Sequence, residues 1–93
     1  MHKLKFPIHS CGPWEALPAN AGVRLIENRW WRIATVEPAE GLSKAEFEAN
    51  VRLIQNSPLL YDAGKRVVER WSEGDLAGAV NELREILEEI EGE

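Results

Sequence analysis

Residues 37–43 divide the sequence into a strand-like half and a helical half. This segment contains Pro38 and Gly41, which interrupt regular structure. Ser43 then offers a side chain that can cap a helix, and Glu46, three residues later, completes a capping box. The sequence therefore predicts that a helix begins at Ser43 and that any sheet is formed by the residues before the division.

The strand-like half predicts a β-hairpin. Residues 23–26 and 30–36 are rich in β-branched and aromatic side chains, and residues 27–29 separate them. Residues 14–17 can add a third strand, with residues 18–22 as the connecting turn. Alternation along a strand does not by itself decide which face of the sheet meets the helices.

The helical half predicts three helices with two interruptions. Pro58 cannot donate a backbone hydrogen bond, so the second helix is expected to begin there with Ser57 as its cap. Residues 72–75 end it, and Asp75 is expected to cap the third helix. The third helix carries an apolar seam with one residue per turn, formed by Leu76, Val80, Leu83, Leu87 and Ile90. Because the second helix must also cover the sheet, a second copy of the chain is expected to complete this seam.

Length and pattern together predict one small domain of the α+β class. A chain of 93 residues supports a single hydrophobic core. Residues 1–12 form an irregular arm, residues 13–37 a small antiparallel sheet of two or three strands, and residues 43–91 three helices.

Charge and composition exclude several classes of protein. A net charge of -5 argues against general nucleic-acid binding, which needs clustered Lys and Arg. Residues 1–36 nevertheless carry five basic and two acidic side chains, so this is the only part of the chain whose charge favours an anion. No apolar run approaches the roughly 20 residues that span a membrane, and no secretory signal is visible. The single cysteine, Cys11, fits a reducing cytoplasm.

The sequence predicts no catalytic residue, no metal site and no cofactor. His9 and Cys11 offer two metal ligands, fewer than a zinc site requires. A cysteine nucleophile would also need a base held in place by a third group, and residues so close together in an irregular arm seldom provide one. The chain is therefore not expected to be an enzyme.

Trp30 and Arg32 are the first candidates for a binding site. In a strand they share one face, and Trp30 and Trp31 point to opposite faces, so one of the two rings needs a cover outside the core. That cover is a neighbouring subunit or the arm with Trp14, a partner protein, or a flat ligand such as a nucleotide. Arg24 adds a further cation to this basic part of the chain.

Two motifs occur in order along the chain. The first motif, residues 9–14, reads His-Ser-Cys-Gly-Pro-Trp, and the second motif, residues 49–60, reads Ala-Asn-Val-Arg-Leu-Ile-Gln-Asn-Ser-Pro-Leu-Leu. From residue 9 to about residue 71 the chain resembles small phage and prophage proteins of unknown function, although Cys11 stands where their pattern usually has proline. The resemblance implies a small sheet followed by helices, and a phage setting.

This resemblance implies a non-catalytic phage or prophage accessory protein in the cytoplasm of the host cell. It is expected to counter a host defence system, as an anti-CRISPR or another inhibitor of immunity does, by binding a host defence protein as a homo-oligomer. One alternative is a sponge that holds a nucleotide-type immune signal between subunits. Another is a small structural or regulatory phage protein. Neither general nucleic-acid binding nor membrane binding is expected.

Overall fold

The computed structural model describes residues 9–71 and 73–92. Within them, a three-stranded antiparallel sheet in the order β1-β2-β3 precedes three helices, which confirms the predicted α+β class. Residues 1–8 of the predicted arm lie outside the described residues. The elements are β1 (Glu15–Pro18), β2 (Arg24–Glu27), β3 (Arg32–Val36), α1 (Lys44–Gln55), α2 (Ser57–Glu69) and α3 (Leu76–Glu91).

The sheet contains both the predicted hairpin and the third strand. β2 is central and pairs with β1 on one side and with β3 on the other, in both cases antiparallel. A short 3-10 turn, Asn20–Gly22, connects β1 to β2. Ala21 and Gly22 there have φ values of 59° and 77°, in the left-handed region, which Gly22 enters freely because it has no Cβ and Ala21 enters at a steric cost.

The last strand begins later than predicted. β3 starts at Arg32, and Trp30 and Trp31 lie in the turn before it. The Oδ1 atom of Asn28 accepts hydrogen bonds from the backbone N–H groups of both tryptophans, at 2.9 and 3.0 Å. These bonds hold the two amides in the turn, because an Asn side chain competes with the strand ladder for them. The prediction that the two rings alternate across a strand is therefore wrong.

The predicted start of α1 is confirmed. The backbone N–H of Glu46 donates to Ser43 Oγ at 3.1 Å, and Ser43 itself has extended backbone angles. The cap satisfies one of the donors that a helix leaves unpaired at its first turn.

Replacing Ser43 by alanine should lower the free energy of unfolding by about 0.5–2 kcal/mol, because the Glu46 amide then has no side-chain acceptor. Ser43→Asp is the matched control, since its carboxylate can accept the same hydrogen bond and also suits the positive end of the helix. Urea denaturation measures both variants. Equal stability of Ser43→Ala and the wild type would show that the cap contributes nothing.

The junction between α1 and α2 differs from the prediction in one respect. α2 begins at Ser57, and Asn56 occupies the cap position. Ser57 is not the cap: its hydroxyl donates to the backbone oxygen of Leu53 at 2.9 Å. One residue separates the two helices, so the last carbonyls of α1 are within reach of Ser57 and compete for its hydroxyl.

Asp75 occupies the cap position of α3 but, among the described residues, its side chain makes no capping bond. Its carboxylate lies 3.3 Å from Arg70 Nη1 instead. The predicted start of α3 at Asp75 is therefore confirmed, but the side chain does not form the capping bond, because a nearby guanidinium offers the carboxylate a charged donor.

The buried core is small for a chain of this length. Among the described residues, Ile26 of β2 and Phe47 and Val51 of α1 are buried where the sheet meets α1. Ala63 of α2 and Ala79 of α3 are fully buried. No helix in the described part of the chain combines the length and the apolar character that a membrane crossing requires. Most large apolar side chains of the helices are at least partly exposed.

Candidate protein-binding surface

The turn between β2 and β3, residues 28–31, is called the hairpin tip. The backbone N–H of Asn28 donates to the Trp31 backbone oxygen at 3.1 Å, and its side chain accepts from both tryptophan amides. The turn is thus closed by three hydrogen bonds around a single residue. It presents Trp30 and Trp31 to solvent with 62% and 61% of their surfaces exposed.

The first motif supports the hairpin tip from one side. Asn28 Nδ2 donates to the Cys11 backbone oxygen at 3.2 Å, and Trp31 Nε1 donates to Ser10 Oγ at 3.2 Å. The ring nitrogen of Trp14 donates to the Ser10 backbone oxygen at 3.3 Å, which ties the motif to itself. The position of the tip therefore depends on Cys11 and Ser10, which precede their partners in the tip by 17 and 21 residues.

The first motif also contacts the start of α2. A Cβ atom on Gly12 would lie 2.9 Å from Pro58 Cβ, so only glycine fits this approach without movement. The rings of His9 and Tyr61 meet edge to face, with centroids 4.7 Å apart. The two motifs on which the family resemblance rests are therefore neighbours in the fold.

His9, Cys11 and Asp62 line one shallow cleft between the first motif and α2. His9 Nδ1 lies 3.0 Å from the Ser10 backbone oxygen, so neighbouring backbone orients this ring. Within the described residues, no group of three or more His, Cys, Asp or Glu side chains is arranged to hold a metal ion. Cys11 is exposed and lines this cleft, and its backbone oxygen accepts the hydrogen bond from Asn28.

The structure does not bring the predicted binding residues into one site. Arg24 Nη2 pairs with Glu48 Oε1 at 2.8 Å, which ties β2 to α1 at the end of the strand remote from the tip. Arg32 Nε lies 3.4 Å from Glu27 Oε2 across the hairpin. Trp14 is half-buried. Of the four predicted residues, Trp30 alone is part of the hairpin tip.

Arg29 is the cation that accompanies Trp30. Its Cζ atom lies 5.9 Å from the centroid of the Trp30 ring, within the range of a cation–π contact. Sequence reasoning chose Arg32 because it counted Trp30 as a strand residue. The usable signal was the Asn28 that precedes Arg29, since Asn favours a turn.

Carboxylates lie next to the hairpin tip. Glu15 of β1 and Glu27 of β2 are directly opposite each other in the sheet register. Together with Arg29 and Trp30 they line a shallow cleft beside the turn. Glu27 pairs with Arg32 and Glu15 lines the same cleft as Arg29, so the cleft lacks the excess of positive charge that a phosphate group needs.

The residues of the predicted α3 seam are divided between two environments. Val80 and Leu87 are 48% and 43% exposed. Leu76, Leu83 and Ile90 are half-buried. Within the single chain the described residues therefore cover this seam only in part.

Comparisons with protein-family models, with curated proteins and with solved structures found no match to this chain. The features that bear on its function are therefore those of its own surface. They are a hydrogen-bonded turn with two exposed tryptophans and one arginine, a pair of carboxylates beside it, and a partly uncovered helical seam.

Proposed function

We propose that this protein is a non-catalytic binding protein whose hairpin tip docks on a partner protein. The observation that carries the proposal is the exposure of Trp30 and Trp31 on a turn that Asn28 and the first motif hold in place. Exposed adjacent tryptophans are costly in water, and tryptophan is strongly enriched among residues that dominate binding energy. The resemblance to small phage proteins supports a component of host defence as the partner.

A preformed turn favours tight binding. Asn28 closes the turn with its side chain, and Ser10 holds the ring nitrogen of Trp31. A partner that buries these rings does not have to order the backbone beneath them, so less conformational entropy is lost on association. Arg29 beside Trp30 adds a planar cation that can pair with a carboxylate of the partner.

The alternative of a nucleotide sponge receives less support from the charges at this surface. A stacked base would need its phosphates near cations, and Arg24 is paired with Glu48 at the other end of β2. Beside the tip, Glu27 pairs with Arg32, and Glu15 lines the same cleft as Arg29 and offsets its charge. A partner protein requires only that the tryptophans and the arginine become buried.

The test uses the whole chain as bait in a lysate of bacterial cells, followed by calorimetry with the purified captured protein. Trp30→Ala should weaken that binding by roughly 30-fold, the effect of losing one residue that contributes about 2 kcal/mol. Leu53→Ala is the matched control, because Leu53 is also a large exposed side chain but belongs to α1. It should bind as the wild type does.

Circular dichroism of Trp30→Ala should match that of the wild type, because an exposed ring contributes little to stability. Equal affinities of Trp30→Ala and Leu53→Ala for the purified partner would contradict the assignment of the tip. Titration with nucleotides in the same calorimeter tests the sponge: saturable binding of a nucleotide, lost in Trp30→Ala, would replace the proposal with that alternative.

A further inference from the structure

The α2–α3 pair has a polar flank that its ion pairs define. Arg66 Nε lies 2.6 Å from Glu82 Oε2, and Arg70 pairs with Asp75, which precedes Glu82 in the chain. The end of α2 at Arg70 thus lies beside the start of α3 at Asp75, and Arg66, one turn earlier in α2, lies beside Glu82 farther along α3, so the two helices run antiparallel. Arg70 Nη1 also lies 3.9 Å from Glu82 Oε1. The ion pairs therefore close one side of the line along which the helices meet.

An apolar flank lies on the other side of that line. Each residue along a helix is turned by about 100° from the one before, so Val67 and Leu83, which follow Arg66 and Glu82, turn away from the ion pairs. Because the helices are antiparallel, the same turn carries both side chains to the same side. Side chains at helical spacing extend this apolar flank: Leu60, Val68 and Trp71 from α2 and its C-terminal end, and Leu76, Val80 and Leu87 from α3.

The apolar flank is largely open to solvent. Trp71 is 68% exposed and Val68 is 44% exposed, comparable with Val80 and Leu87 on the neighbouring helix. Leu76 and Val80 also line a shallow groove on α3. A continuous apolar surface of this kind is unusual on a monomer and is typical of an interface.

The accessible surface area of the chain is larger than that of a compact monomer of the same mass. Its accessible surface is 6870 Å², whereas a compact monomer of 10.5 kDa has about 5400 Å². A standard dimer interface removes about 800 Å² from each partner. The radius of gyration, 15.5 Å, also exceeds the roughly 12 Å of a compact chain of this length. The surplus is that of the whole chain, and it exceeds the area that one such interface removes from each partner.

We infer that the apolar flank is the interface between two copies of this chain, which pack flank on flank as a four-helix dimer. We choose a second copy as the partner because the chain needs the buried surface for its own stability, and a copy of the chain is always present with it. Five buried hydrophobic side chains among the described residues are a small core, and oligomerisation is a common way to stabilise such chains. Two antiparallel helix pairs with matching apolar stripes form a four-helix bundle.

The charges agree with self-association. None of the eight side chains that define the apolar flank is ionisable, although the whole chain carries a net charge of -5. Glu85, Glu88 and Glu89 of α3 are exposed and occupy other helical positions. Two identical flanks can therefore meet without bringing carboxylates together, which would cost energy in a desolvated interface. The dimer uses no residue of the hairpin tip and does not depend on the proposed function.

The test measures the mass of the protein in solution at micromolar concentration by light scattering coupled to size-exclusion chromatography. The wild type should have twice the chain mass of 10.5 kDa. The double substitution Val80→Lys with Leu87→Lys should give monomers, because it would bury two ammonium groups at the interface. The matched control moves each lysine one position along α3, as Asn81→Lys with Glu88→Lys, and should remain dimeric because both positions are exposed and turned off the flank.

A monomeric wild type overturns the inference, and so does a flank variant that stays dimeric or a control that dissociates. A flank variant that fails to fold would not leave the question open. The thermal midpoint of the wild type should rise with protein concentration, because dimerisation is linked to folding by mass action. A midpoint independent of concentration over two decades would exclude the dimer without any substitution.

Discussion

Replacing Ile26 by alanine should lower the free energy of unfolding by about 2–5 kcal/mol. Ile26 is the largest side chain that the described structure buries completely, and it lies in the central strand. Its register partners on the two neighbouring strands are Ala16 and Ala34, which are too small to fill the space that the lost methyl groups would leave. Phe47 of α1 is held by its own helix, so the site can collapse only in part.

Urea denaturation at one fixed protein concentration measures this loss and removes any contribution from mass action. Ile33→Ala is the matched control: it deletes the same atoms from β3, where the side chain is half-buried. The loss in free energy of unfolding should be smaller for Ile33→Ala than for Ile26→Ala by about 1 kcal/mol, because less apolar surface is buried at Ile33. Equal losses at Ile26 and Ile33 would show that the sheet has no centre at Ile26.

Features that depend on near neighbours in the sequence could be predicted. The start of α1 is an example, because the capping oxygen of Ser43 and the amide of Glu46 are three residues apart. The hairpin of β2 and β3 follows from β-branched residues on both sides of a short polar segment. In both cases the atoms that decide the structure lie within one short window.

The exact end of the hairpin could not be predicted from propensity. Tryptophan favours strands, and propensity therefore assigned Trp30 and Trp31 to β3. One Asn28 side chain outweighs that preference, because it accepts hydrogen bonds from two backbone amides at once. Ser57 is a similar case, since its hydroxyl donates to the backbone oxygen of Leu53, which comes within reach only once α1 has formed.

Only part of the candidate site could be predicted, because several of its contacts join residues that are far apart in the sequence. The sequence predicts that one of the rings of Trp30 and Trp31 needs a cover outside the core, and the structure leaves both rings mostly exposed. Arg24 was expected beside Trp30, but its partner is Glu48, 24 residues later, and no local spacing reports such a contact. The bond from Trp31 to Ser10 spans 21 residues in the same way. Support for the tip from the first motif is thus visible only in three dimensions.

The apolar stripe of α2 shows that residues with the same helical spacing can differ in burial. Ala63 and Trp71 are eight residues apart, a spacing that places them on one stripe of a helix. The structure buries Ala63 completely and leaves Trp71 mostly exposed. A wide apolar stripe can contact two different surfaces. Here Ala63 packs inside the chain, and Trp71 belongs to the apolar flank.

Arg52→Ala should lower the free energy of unfolding by about 1.5–3 kcal/mol, the range for a hydrogen bond that involves a charged group. Arg52 Nε donates to the Ile90 backbone oxygen at 3.0 Å, so a cation from α1 meets the negative end of α3. The last carbonyls of a helix have no partner within it, and Gly92 in the left-handed region, with a φ of 82°, ends α3 beside this guanidinium. Loss of Arg52 therefore releases both the carbonyl and a contact between α1 and α3.

Two control substitutions separate this contact from a general effect of charge. Arg84→Ala removes a guanidinium that is exposed and bonds within α3, to Asn81, so stability should change by no more than about 0.5 kcal/mol. Arg52→Lys keeps the charge and most of the stem, so it should fall between Arg52→Ala and the wild type. Hydrogen exchange should localise the effect, with faster exchange of the amides in the last turn of α3 in Arg52→Ala. If that turn keeps its protection while the rest of the chain loses stability, Arg52 stabilises the fold by packing and the carbonyl contact is incidental.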